Sequence, residues 1–157
     1  MVNALHLAVA ALVALGVGLV AQGDAANAAG AVSADRLSGL AIAGFDPVAY
    51  HMDGRAQAGR PEQELEHGGA VWRFASEANR AAFLRAPDLY APRVGGFDAE
   101  AAARGIVAGA DASLFLLVEE RLYLFRSREA RDRFRADAGM RARAEAGWPA
   151  LEPEALR

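Results

Sequence analysis

The pattern of apolar and polar positions changes character along the chain. From Leu7 to Ala21 the run LAVAALVALGVGLVA carries no charge. Beyond it, apolar residues recur at strand and helix periods. In Gly69–Phe83 (GAVWRFASEANRAAF), Trp72 and Phe74 stand two apart and so share one face of a strand. Ser76 follows as a helix N-cap, its hydroxyl oxygen accepting a first-turn N–H. Phe83 falls seven residues later, two helical turns on, where it returns to the same core. Glu120–Phe134 (ERLYLFRSREARDRF) repeats the pattern 51 positions on: Phe74, Ser76, Arg80 and Phe83 recur as Phe125, Ser127, Arg131 and Phe134. Each unit reads as a hairpin, a serine cap and a helix. Duplication of one unit and similar packing demands would both produce this match.

The connections carry their own signals. Gly68-Gly69 tolerates the positive φ of a primed hairpin turn. Leu114–Val118 is apolar without alternation, which predicts a central strand covered on both faces, and Glu119-Glu120-Arg121 turns the chain back. The first helix should stop near Ala86-Pro87, where proline cannot extend the hydrogen-bond ladder. Asp98 can cap a short alanine-rich helix, Ala99–Arg104, that ends at Gly105. Asp46 can cap another, with Pro47 at its first position, where a missing N–H costs little. These elements predict an α+β domain, two β-hairpin–helix units with short connecting helices, over residues 37–148. The segment 149–157, with two prolines, is expected to fray. Tyr50, Trp72, Phe74, Phe83, Leu116, Tyr123, Phe125 and Phe134 are the expected core.

Composition narrows the chemistry. The 157 residues hold 17 basic and 20 acidic side chains, every basic one an arginine, for a net charge of −3. This balance argues against nucleic acid as a partner. There is no cysteine, which excludes disulfides, thiolate metal ligation and a thiol nucleophile. The Leu7–Ala21 run, followed by Ala26-Asn27-Ala28 in the A-x-A form of a signal-peptidase site, reads as an export signal over residues 1–28. Residues 29–36 then form a flexible mature N-terminus, and the expected compartment is the periplasm. An uncleaved N-terminal membrane anchor is the competing reading.

GFDPVAYHMDG at 44–54, VWRFASEANRAAF at 71–83, PDLYAP at 87–92 and GGF at 95–97 occur together and in order. With this spacing the chain resembles the YHS domain, most nearly the exported single-domain YHS proteins of bacteria, from about Ala41 to Trp148. The resemblance implies a small α+β module with a metal-binding role, for which copper is one candidate, and no established activity. Members of that family commonly read GGYCA where this chain reads Gly95-Gly96-Phe97-Asp98-Ala99. Asp98 thus stands at the family's cysteine position, where a carboxylate favours a harder or borderline ion.

Three candidate roles follow. His51, His67 and Asp98 could hold Zn²⁺ or Cu²⁺ if the fold brings them together; nothing in their spacing requires it. The competing reading makes His67 an exposed turn neighbour, Asp98 a helix cap and His51 a packing residue. No nucleophile elbow, P-loop or dinucleotide fingerprint is present, so no catalytic residue is expected and the protein reads as a binding module for a small ligand, a metal or a periplasmic protein. From Arg126 to Arg143, seven arginines face Glu129, Asp132 and Asp137. Arg128, Arg131 and Arg135 are accordingly candidates for docking an acidic protein or anionic lipid headgroups, against a plainly solvated face laced by i,i+4 pairs such as Arg128–Asp132, Glu129–Arg133 and Asp137–Arg141.

Overall fold

A computed structural model describes residues 32–35 and 37–155; the expected export signal lies outside them. The first half comprises helix α1 (Pro47–Met52), strands β1 (Arg60–His67) and β2 (Ala70–Phe74), helix α2 (Glu77–Arg85) and the single turn α3 (Pro87–Tyr90). The second comprises α4 (Ala99–Ala102), β3 (Asp111–Val118), β4 (Arg121–Phe125), α5 (Arg128–Ala136) and the long α6 (Ala138–Ala155). β1 pairs antiparallel with β2, and β3 with β4. The α+β class and the two hairpin–helix units are as the residue pattern predicts.

The second half repeats the first in detail. Ser76 and Ser127 cap α2 and α5 with nearly identical geometry, φ −149° and −150°, each accepting an N–H three residues on at 3.1 Å. Each hairpin has an irregularity at the same place, between Arg60 and Glu64 and between Asp111 and Phe115. Left-handed backbone runs through Ile42-Ala43-Gly44 before α1, and through Val94-Gly95-Gly96 before α4. The hairpin turns correspond as well, but Gly68-Gly69 is matched by Glu119-Glu120, both at positive φ (52° and 60°). A residue with a Cβ pays roughly 1 kcal/mol or more there.

The sheet order explains where the core sits. β4 lies between two apolar clusters: Leu122 and Leu124 join Tyr50, Trp72, Phe74 and Phe83, while Tyr123 and Phe125 join Phe134, Ala130 and Ala144. β3 also meets both clusters, Phe115 and Leu117 on one side and Leu114, Leu116 and Val118 on the other. It is nevertheless an edge strand and not a central one, because its hairpin has two strands. The side chains of its apolar run Leu114–Val118, Leu116 included, are half-buried. The other seven expected core residues are buried. The hydroxyl of Tyr50 donates to the Ala112 carbonyl at 2.7 Å, tying the halves together.

Both ends extend the expected domain. Ser33 N–H donates to the Gly95 carbonyl at 2.7 Å and Ala34 bridges Ala41, so part of the segment expected to be flexible is bound to the domain. The segment from 149, expected to fray, continues α6 through Pro149 and Pro153 to Ala155. Trp148 and Leu151 pack on the second cluster, and this tertiary burial outweighs the backbone bonds that the prolines cannot make. Among the described residues, no helix is long and apolar enough to cross a membrane.

Candidate functional site

The same aspartate clamp builds each half. Asp46 caps α1 with Oδ1, accepting from Val48 N–H at 2.8 Å and Ala49 N–H at 3.4 Å. Its Oδ2 accepts from Ala75 N–H at 2.7 Å and from the Asn79 side-chain amide at 2.6 Å, so one carboxylate locks α1 to the start of α2. Asp98 does likewise for α4. Its Oδ1 accepts from Glu100 and Ala101 N–H at 2.9 and 3.2 Å, and its Oδ2 meets Arg126 through the backbone N–H at 3.3 Å and the guanidinium Nε at 3.1 Å. The backbone N–H groups of the two aspartates donate to equivalent loop carbonyls, Gln57 and Ala108, each at 2.8 Å. Both carboxylates are fully buried. The signal for this was in the sequence: Gly44-Phe45-Asp46 recurs as Gly96-Phe97-Asp98, 52 positions on.

Asp98 is the second half's copy of Asp46, with both oxygens engaged by protein donors. The proposed metal set is not assembled either: among the described residues, no group of three or more histidine, cysteine, aspartate or glutamate side chains could hold a metal ion. His51 stands on α1 with its ring edge-on to Tyr90, centroids 5.3 Å apart. His67, at the end of β1, packs on Phe83 at 5.6 Å. Asp98 belongs to the other half. Hydrophobic packing claims each imidazole separately. Burial lowers the His51 pKa, against the opposing pull of Glu120 and the Tyr90 backbone, and its Nε2 is buried with no hydrogen-bond partner among the described residues.

The halves differ in the residues that stand beside each clamp. In the first half the α1–α2 junction is largely apolar: Val48 is buried, Ala82 packs on the first cluster, and Met52 and Leu84 are exposed. At the equivalent positions the second half carries Glu100, Arg133, Arg104 and Arg135, and Ala75 is matched by Arg126. Glu100 is fully buried. Its Oε1 accepts a hydrogen bond from Arg133 Nε at 3.0 Å and forms an ion pair with Arg104 Nη2 at 2.5 Å. Its Oε2 is equally buried and has no hydrogen-bond partner among the described residues. Sequence reasoning missed Glu100, Arg104 and Arg126 as a group; the i,i+4 spacing of Glu100 and Arg104 was its one visible sign.

The arginine-rich segment is less free than its composition suggests. None of the three i,i+4 contacts expected within it forms an ion pair among the described residues. Arg131 and Arg135 converge on Asp132 at 3.4 and 3.1 Å, Arg143 pairs with Asp137 at 2.7 Å, and Arg141 reaches Glu119 at 3.3 Å. Arg126 and Arg133 are taken by Asp98 and Glu100, acids distant in sequence. Of the docking candidates, Arg128 is exposed and makes no ion pair among the described residues, whereas Arg131 and Arg135 are partnered.

Two further features complete the picture. Tyr123 donates a short hydrogen bond to Glu145, which also pairs with Arg121 at 2.9 Å and fastens α6 to β4. Burial, reinforced by Glu145, pushes the Tyr123 pKa up to about 12. A cavity of about 210 Å³, lined by Ser33, Asp35, Ile42, Ala112 and Leu124 among others, opens between the N-terminal segment and the second hairpin. It is smaller than the roughly 300–1,000 Å³ typical of small-molecule sites. Comparison of the chain with protein-family models, curated proteins and solved structures found no match.

Proposed function

We propose that this protein is an exported, non-catalytic binding module of the YHS type, and that it engages its ligand on the α4–α5 face of its second half. The observation that carries this reading is the asymmetry of two halves built on one frame. The first half shows that the frame can be made with Val48, Ala75 and Ala82 behind the aspartate clamp. The second half replaces them with charged groups, among them the fully buried Glu100, and apolar residues in place of a buried charge are often neutral or stabilising. Charges kept at such a position support a role other than folding. Asp46 and Asp98 are occupied as clamps, and Tyr50 and Tyr123 donate to fixed partners. Export rests on the Leu7–Ala21 run and the Ala26-Asn27-Ala28 site.

Amide chemical-shift mapping of the isotope-labelled protein against a periplasmic extract tests the placement. Shifts concentrated on α4 and α5 are expected; shifts confined to β1, β2 and α2, or none, refute it. The intact mass of the exported protein tests the signal, since a mass matching all 157 residues refutes cleavage.

A further inference from the structure

We propose that Arg104, Arg126 and Arg133 form a binding site for a tetrahedral oxyanion of the phosphate class. The proposal rests on the placement above and specifies its chemistry. Three guanidiniums converge on two buried carboxylates: Arg104 and Arg133 share one oxygen of Glu100, and Arg126 is held by Asp98, two residues earlier at the cap of the same helix. Each arginine side chain remains about half exposed, at 53%, 47% and 54%. A guanidinium has five N–H donors in a fixed fork. A carboxylate holds each at one nitrogen, Arg104 Nη2, Arg133 Nε and Arg126 Nε, which leaves further donors on half-exposed side chains. Holding long side chains before the ligand arrives removes much of the ordering cost that weakens ordinary surface arginines. Such forks match phosphate oxygens, with charge-assisted hydrogen bonds about twice as strong as neutral ones.

The internal copy supplies a control. Glu100 occupies the place of Val48, and its Oε2 is buried without a donor among the described residues. An unsatisfied buried polar atom costs roughly 1–3 kcal/mol, and the first half avoids that cost with valine. A fold alone has no use for the exchange, whereas a site that must hold two guanidiniums side by side does. Departures from local packing rules of this kind concentrate at functional positions. The charges around the group favour an anion: three arginines against Asp98 and Glu100, with Arg128, which makes no ion pair among the described residues, on α5 and Glu129 as the opposing acid.

The test is titration of the tag-free protein with inorganic phosphate at constant ionic strength, read from arginine Nε–H cross-peaks. Saturable shifts at Arg104, Arg126 and Arg133 are expected, weakened about tenfold in Arg133→Gln and in Arg126→Gln and less than about twofold in Arg80→Gln, a substitution of equal charge on α2 of the first half. A dispersed amide spectrum confirms that each variant folds. Acetate at equal concentration should shift these peaks little, and sulfate should compete. A second arm separates the sources: phosphatidylglycerol vesicles against phosphatidylcholine vesicles, with the same variants. Binding of free phosphate assigns a soluble phosphate ligand; binding of anionic vesicles alone, lost in Arg133→Gln, assigns a lipid headgroup. No saturable shift in either arm, or equal losses in Arg133→Gln and Arg80→Gln, overturns the proposal. Extract-induced shifts on α4–α5 without phosphate binding would overturn the oxyanion assignment while leaving the proposed binding face standing.

Discussion

The aspartate clamps make a quantitative prediction, because one protein contains the same device in two environments. Asp46→Ala removes four hydrogen bonds. Loss of the helix cap costs about 1 kcal/mol. The Ala75 N–H and the Asn79 amide are then left without their acceptor in a partly buried site, at roughly 1–2 kcal/mol each. The total, about 3–5 kcal/mol, is a large share of the roughly 5–15 kcal/mol that holds a domain of this kind together. Asp98→Ala removes the equivalent cap, again about 1 kcal/mol. Its cross-link, however, runs to Arg126, whose backbone bond is long at 3.3 Å and whose half-exposed guanidinium can turn to water. That part is screened and adds no more than about 1 kcal/mol. Asp46→Ala should therefore cost at least about 1.5 times as much as Asp98→Ala, although both delete the same atoms at symmetry-related caps. Urea unfolding of the two variants, followed by circular dichroism, measures this as a shift in midpoint at constant slope. Equal costs, or an Asp46→Ala cost below about 1.5 kcal/mol, would refute the view that Oδ2 of Asp46 joins α1 to α2 energetically.

Three other outcomes follow from the geometry. His51 has its pKa lowered by burial, so its stabilising contribution is complete above about pH 6.5, the unfolded value, and is lost as the pH falls below it toward the folded pKa; unfolding curves between pH 7 and 5 should show this loss in the parent and less of it in His51→Phe. Tyr123 should ionise at about 12 in an ultraviolet titration, and Glu145→Gln should lower that value by removing the adjacent negative charge; an unchanged value would count against the Tyr123–Glu145 contact. Glu120→Gly relieves a positive-φ residue in the second hairpin turn and should raise the unfolding free energy by about 1 kcal/mol, measured by urea unfolding, whereas destabilisation would show that Glu120 contributes more through its charge than it costs through its backbone.

How far the residues could be read in advance depended on the range of the forces involved. The serine caps, the Asp46-Pro47 helix start and the Gly68-Gly69 turn are local: a side chain satisfies backbone groups within three residues, or a missing Cβ permits a turn, and the pattern alone is sufficient. The aromatic spacing of Trp72–Phe74 and Tyr123–Phe125 likewise foretold buried faces, because alternation along a strand is a property of the chain. Errors arose where the answer depended on which element lies alongside. Leu114–Val118 looked like a central strand, but an apolar run does not say whether one neighbour pairs with it or two. Pro149 and Pro153 looked like a terminus, but α6 is held by the packing of Trp148 and Leu151.

The candidate site divides in the same way. The sequence by itself determined the two-unit plan and the absence of any thiolate. It also showed an excess of arginine after Arg126, without saying which of them are free. Tertiary structure alone decided that His51, His67 and Asp98 stay apart, and that Arg126 and Arg133 are held by Asp98 and Glu100. The reason is physical. Local hydrogen bonds are fixed by spacing along the chain, whereas ion pairs and ligand sets depend on through-space distance, which the packing of α4 against α5 sets and no spacing rule contains.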